Sequence, residues 1–377
     1  MKEFFETIFL LASIQGVLLS LVLLFRKENH SANIFLSLGI LALSSELFAS
    51  VYYSKGWYQT FIHFSGLTSP MPLSYGPLFY FYAKFLTKEH EKFSLKNLLH
   101  FLPFISAYII LSPVFFYPAS EKLAFVQKAI TGNQPLIFDI MEIVIPIQGL
   151  IYTVLMTVLV LNYNKEIKER YSNIEKINLD WLKYLTFSMI LCWSIAALSR
   201  ITIFFIDASL EFEIVLHTSI SVLIYTIGYM NLNQPEIFTK RCEEEINENV
   251  PEKYKKSGLD SLTAEEIKNK LLGAMEKQKP YLDGDLTLLK LAEIVSVSEH
   301  HLSEVINSKL NKTYYDFINE YRVEEFKDKL KDPSTRNYNL LSIAFESGFK
   351  SKTSFNTIFK KYTNQTPSEY KSSLKLQ

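Results

Sequence analysis

The sequence predicts an all-α chain in two parts, a bundle of apolar helices over residues 1–230 and a charged helical domain over 279–377, joined by a linker at 231–278. Three observations carry this. Residues 1–230 contain seven stretches of mainly apolar residues, each near the ~20 that a helix needs to cross hydrocarbon, where the backbone must satisfy its own hydrogen bonds. Charge divides sharply: the first 230 residues hold 16 basic and 16 acidic side chains, and the last 147 hold 23 and 23. Beyond residue 279, apolar positions recur at helical spacing between capping signals.

The apolar stretches fall at about 4–25, 32–53, 66–86, 98–117, 137–161, 183–206 and 212–230. The first, FFETIFLLASIQGVLLSLVLLF, has a longer apolar run than a signal peptide, and its basic pair Arg26 and Lys27 follows the run. It is therefore expected to be a retained span. Basic residues stay on the cytoplasmic side. The loops after spans one, three and five, with the tail, hold eleven: Arg26, Lys27, Lys88, Lys92, Lys96, Lys165, Lys168, Arg170, Lys176, Lys240 and Arg241. The opposite side holds four, Lys2, Lys55, Lys122 and Lys128. The expectation is a multi-pass protein of the inner (cytoplasmic) membrane, N-terminus outside, with everything after residue 230 in the cytoplasm.

Ionisable groups inside the spans, Glu46, Glu142, Arg200 and His217, either form a ligand or ion-pair site or pair structurally, because such groups face a bundle interior. Gly76 and Pro77 early in the third span are expected either to kink it and open a pocket or simply to begin an aromatic-rich helix. Cys192 and Cys242 lie far apart and form no CxxC spacing, and no HExxH or Gly-rich phosphate loop occurs. No catalytic residue, cofactor or metal site is expected, and the chain is read as a non-enzyme.

After Gln234-Pro235 the composition becomes charged and is broken by Pro251 and Gly258. In LTAEEIKNKLLGAMEKQ, Thr263 and Glu266 read as a capping box before a stripe of Ile267, Leu271, Leu272 and Met275. This helix is free to pack on the terminal domain, on a second copy or against the bundle.

Two terminal segments share one plan of helix, tight turn, helix. In NLLSIAFESGFKSKTSFNTIFKKY, Asn339 caps a helix facing inward through Leu340, Ile343 and Ala344, and Gly348 makes the turn. A second helix from about Lys352 buries Phe355, Ile358, Phe359 and Tyr362 at i, i+3, i+4 and i+7. Its outward residues, Lys352, Thr353, Asn356, Thr357, Lys360 and Lys361, with Lys350 and Ser351 before them, have the chemistry that phosphates and base edges require. The earlier copy, LTLLKLAEIVSVSEHHLSEVINSKL, uses Thr287 and Ser298 as caps, Leu288, Leu291 and Ala292 inward, and Leu302, Val305 and Ile306 on the second helix. Its outward candidates are His300, His301 and Asn307. Between the copies, TYYDFINEYRVEEFKDKL begins with a Thr313–Asp316 capping box and reads as one helix burying Phe317, Tyr321 and Phe326. The end, QTPSEYK, carries a Thr366–Glu369 box with Pro367 at the first helical position.

On LTLLKLA at 286–292, YRVEEFKDKL at 321–330 and IAFESGFKSKTSFNTIFKKYTNQTPSEY at 343–370, the region from about 279 to 374 resembles the DNA-binding domain of the AraC/XylS family of bacterial transcription regulators. The seven-span part resembles a sensor type joined to such domains in Bacteroidetes. The first resemblance implies seven helices, two helix-turn-helix units bridged by a long helix, and recognition helices at about 299–310 and 352–362 that enter successive major-groove segments. Two features depart from the family: Ser296 stands where the first turn usually has Gly, and Glu299, His300, His301 and Glu304 on the first recognition helix suit phosphates poorly. Residues 279–333 hold 8 basic and 11 acidic groups, net −3, whereas 334–377 hold 7 and 2, net +5. The second unit is therefore expected to be the principal DNA anchor.

The expected function is a membrane-anchored, sequence-specific transcription regulator whose bundle senses a signal. The competing reading is a transporter or receptor with a regulatory helical appendage. Expected partners are double-stranded DNA, membrane lipid, a small-molecule or periplasmic signal, and a second copy of the chain.

Overall fold

The computed structural model describes residues 2–27, 29–88, 93–130, 135–175, 177–206, 209–232, 260–335 and 337–375. Most of the expected linker, 233–259 with Cys242, and the side chain of Arg200 lie outside the described residues. Among the described residues the chain is all-helical, with no strand and one isolated antiparallel bridge between Tyr171 and Thr287. It divides into two units: residues 1–162 with 179–240, and residues 163–178 with 241–377.

The first unit contains α1 (Lys2–Phe25), α2 (His30–Ser54), α3 (Pro72–Thr87), α4 (Leu102–Phe115), α5 (Ala119–Ile130), most of α6 (Leu136–Arg170), α7 (Asp180–Ile206) and α8 (Ser209–Leu232). Six helices among the described residues are long and apolar enough to cross a membrane: α1, α2, α4 with the helical turn before it, α6, α7 and α8. The seventh expected stretch, 66–86, becomes regular helix only at Pro72, so α3 has 16 residues. Large apolar side chains such as Leu18, Ile143, Val154 and Phe187 remain on the outside of this unit. α1 meets α2 through small residues: Ser13 Oγ donates to the Ser44 carbonyl at 2.8 Å, and the Ser20 and Ser37 hydroxyls lie 2.8 Å apart. A Cβ at Gly16 would fall 2.0 Å from Ser44 Oγ, so only glycine permits this approach. Beyond α2, the chain makes two short turns, Trp57–Gln59 and Ile62–Phe64, before α3. The amphipathic α5, which apolar run length alone does not reveal, seats the buried Lys122 ammonium on the His63 carbonyl at 2.9 Å.

The second unit holds the α-helices α9 (Ser261–Lys277), α10 (Leu288–Val295), α11 (Glu299–Lys309), α12 (Tyr314–Lys331), α13 (Leu340–Glu346), α14 (Lys352–Thr363) and α15 (Pro367–Lys375). α9 starts three residues earlier than its expected box implies. Asp260, not Thr263, is the cap, its carboxylate accepting from the Thr263 amide at 2.6 Å. An ionised carboxylate at a helix N-terminus satisfies an orphan amide and meets the positive end of the dipole. The stripe Ile267, Leu271 and Met275 is buried with Leu291, Leu302, Ile306, Phe317 and Ile318, so α9 shares one core with the first helix pair. A second core gathers Ile343, Ala344, Phe355, Ile358 and Phe359 from the second pair. α12 serves both, with Phe317 and Ile318 in one and Val323 and Phe326 in the other. Tyr321, expected to be buried, is half-buried and stacks on Tyr281 at 5.4 Å between ring centres.

Candidate nucleic-acid interface

The cap set by each Ser, Thr or Asn fixes where each outward face begins. Thr287, Ser298, Thr313, Asn339 and Ser351 all hold extended backbone, and each side-chain oxygen accepts from an amide three residues on. Thr366 and Glu369 bond reciprocally, at 2.7 Å to the Thr366 amide and 3.3 Å to that of Glu369. With α14 started at Lys352, burial of Phe355, Ile358 and Phe359 leaves Lys352, Thr353, Asn356, Thr357, Lys360 and Lys361 exposed on the other side. The structure thus brings these six candidates onto one helix face, with Ser351 as the cap and Lys350 exposed just before it.

Two of the basic candidates also hold the unit together. Lys350 pairs with Asp285, which precedes α10, and Lys361 pairs with Asp316 of α12 at 2.6 Å. Burial acts to raise the Asp316 pKa, but the Lys361 ion pair and bonds from Thr313 and Tyr362 hold it below the usual carboxylate range. Any anion brought to Lys350 or Lys361 would compete with Asp285 or Asp316.

The first reader is different. His300 and His301 are half-buried at the start of α11, with Ser298 capping the His301 amide at 3.2 Å. Asn307 donates from Nδ2 to Glu169 at 3.0 Å and lies 3.4 Å from Ser303 Oγ. The turn before α11 keeps left-handed geometry without the family's glycine, Ser296 adopting φ 58° and ψ 48°.

Sequence reasoning missed the buried charge that fastens α12 to the chain before α10. Arg322, 1 % exposed, donates through Nε to the Tyr281 carbonyl at 2.8 Å and through Nη2 to that of Asp283 at 2.8 Å. Its remaining bonds go to Asn319 Oδ1 and to the carbonyl and hydroxyl of Ser172. Burial pushes the guanidinium down to about 10, so it stays charged at neutral pH. Its signal was legible: Arg322 stands four residues after Ile318 and before Phe326, on the buried stripe. Its partner, 150 positions earlier, was not.

In the first unit, Glu46 lies on α2, and one turn later Ser50 Oγ lies 3.5 Å from His217 Nδ1 of α8. Glu142 is on α6 and half-buried. No group of three or more His, Cys, Asp or Glu able to hold a metal ion occurs among the described residues.

Residues 291–373 match a family described as "Helix-turn-helix domain". Over 87 residues, 23 % of this chain, the sequence is 37 % identical to an uncharacterized HTH-type transcriptional regulator of Staphylococcus aureus (strain COL), covering 11 % of that protein. Over the same length it is 34 % identical to one of Pseudoalteromonas carrageenovora, covering 49 %. The chain thus spans about a tenth and about half of these relatives, respectively. No solved structure matches. The C-terminal part of this chain therefore carries a helix-turn-helix domain of AraC type.

Proposed function

We propose that this chain is a membrane-anchored transcription regulator that binds duplex DNA through α14 as principal anchor and α11 as secondary reader. The observation that carries this is the exposed face of α14, where three lysines at the two ends flank an amide and two hydroxyls above a fully apolar buried face. Lysines neutralise phosphates and supply affinity, and Asn and Thr can read base edges. The relatives' names support transcription regulation as the use of this binding. The domain count around α14, two helix pairs on one rod, supports engagement of two groove segments.

The apolar helices support anchoring in the inner membrane, and with α3 crossing as a seventh beside the six long ones the odd count keeps the terminal domain in the cytoplasm. In this reading the α2 and α8 cluster of Glu46, Ser50 and His217 lies where a signal would be felt. The test is chromatin pull-down of the full-length, membrane-localised protein under several growth conditions. Enrichment of discrete DNA sites by the full chain is the expected result. Absence of any specific enrichment refutes the reading and favours a transporter or receptor with a helical appendage.

A further inference from the structure

Residues 163–178 comprise the last two turns of α6 and the chain that follows it toward α7, yet they belong to the unit of the helix-turn-helix pairs. Their anchor is Ser172, 2 % exposed. Its hydroxyl donates to the Leu286 carbonyl at 2.7 Å and accepts from Arg322 Nη2 at 3.0 Å. Its carbonyl accepts from Arg322 Nη1 at 3.2 Å and from Asn319 Nδ2 at 3.1 Å. Next to it, Tyr171 bridges Thr287, the residue that caps α10. All the hydrogen bonds of Arg322 go to uncharged oxygens, and two of the five are to Ser172. A buried guanidinium is stable only while its donors are occupied, so leaving this seat empty is strongly disfavoured. Three residues before the anchor, Glu169 holds the Asn307 amide of the first recognition helix at 3.0 Å.

We propose that residues 169–173 are a docked strap that restrains the first reader and links it to α6 and α7. Ser172 is the anchor and Glu169, in the last turn of α6, is the restraint; α7 begins at Asp180, seven residues after Asn173. The proposal rests on the DNA-binding reading above and adds its regulation. While Ser172 is seated, Asn307 is committed to Glu169, and a carboxylate stands beside the helix that must approach phosphates. A movement of α6 or α7 that draws Ser172 out takes Glu169 with it and frees Asn307 for a base edge. The same anchor argues against release by proteolysis, because a fragment starting past residue 240 would lack the strap and leave two Arg322 donors unfilled.

Two measurements on the full-length chain in lipid nanodiscs test this, using a duplex that the wild-type chain enriches from a random pool. Glu169→Ala is expected to tighten binding roughly 5-fold or more, within the usual range of coupling between sites, and to have no effect in an Asn307→Ala background. Unchanged or weaker binding, or an equal effect in that background, overturns the restraint. Independently, Tyr171→Cys with Thr287→Cys, in a chain with Cys192→Ser and Cys242→Ser, is expected to form a disulfide, since bridged antiparallel positions are ~4.5–5.5 Å apart at Cα. Failure to form it overturns the docked strap. If the wild-type chain enriches no duplex, the DNA-binding reading itself fails and the restraint with it, and the cross-link alone then decides whether the strap is docked.

Discussion

Gly348 follows α13 at φ 92°, and a Cβ there would lie 2.2 Å from the Tyr281 carbonyl and 3.0 Å from Arg322 Nε. Left-handed backbone and overpacking act together, so Gly348→Ala is expected to destabilise the terminal unit by roughly 2–4 kcal/mol, read as a lower urea midpoint. Ser296 tells the opposite story. It adopts φ 58° where glycine would adopt it without steric cost. Ser296→Gly is expected to stabilise by about 0.5–1 kcal/mol, the left-handed penalty less the extra backbone entropy of glycine. Asp316 sets a pH dependence. Its folded pKa is depressed, so its contribution is present above the ordinary Asp value and is lost as pH falls through the folded one. The urea midpoint should therefore drop as pH falls below about 4, the unfolded Asp value, and Asp316→Asn should flatten that drop. An unchanged slope in the variant would place the acid sensitivity elsewhere.

Among the elements, the proposed function gives α14 and α11 unequal shares in DNA binding. Lys352 and Lys360 stand exposed on α14, whereas the α11 lysine, Lys309, lies 3.3 Å from Ser261 Oγ beside a more acidic surface. Lys352→Ala or Lys360→Ala is expected to weaken binding and lower the slope of log K against log salt by ~1 each. Lys309→Ala should do less on both measures, and equal effects would reject the asymmetry. The faces of both helices were legible beforehand, because period and cap together fix which side points out. The ion pairs of Lys350 and Lys361 were not, since Asp285 and Asp316 lie 65 and 45 positions away along the chain. α9 marks another limit: its stripe announced a packed face, but only the shared core with α11 shows what that face meets.

For the whole molecule, sidedness turns on α3. Its 16 residues span about 24 Å at 1.5 Å per residue, short of ~30 Å of hydrocarbon. The preceding chain from Trp57 to Met71 is built of short turns. If α3 crosses, as the positions of the basic residues require, alkaline phosphatase fused after Lys55 is active and a fusion after Leu232 is inactive. Activity of both fusions would mean that α3 does not cross, and the terminal domain would lie outside.

The sequence by itself determined the division into apolar and charged parts, the helix-turn-helix pairs, their caps and the outward face of α14. These are local: a cap acts over three residues and a stripe over two turns, so their information is contiguous. Only the tertiary structure decided that α12 serves two cores, that Arg322 is the buried tie between α12 and the chain before α10, and that Ser172 fills its seat. The physical reason is that a buried charge demands partners without specifying where in the chain they come from. The sequence could show that Arg322 needed oxygens around it, and folding alone could choose a serine 150 residues away.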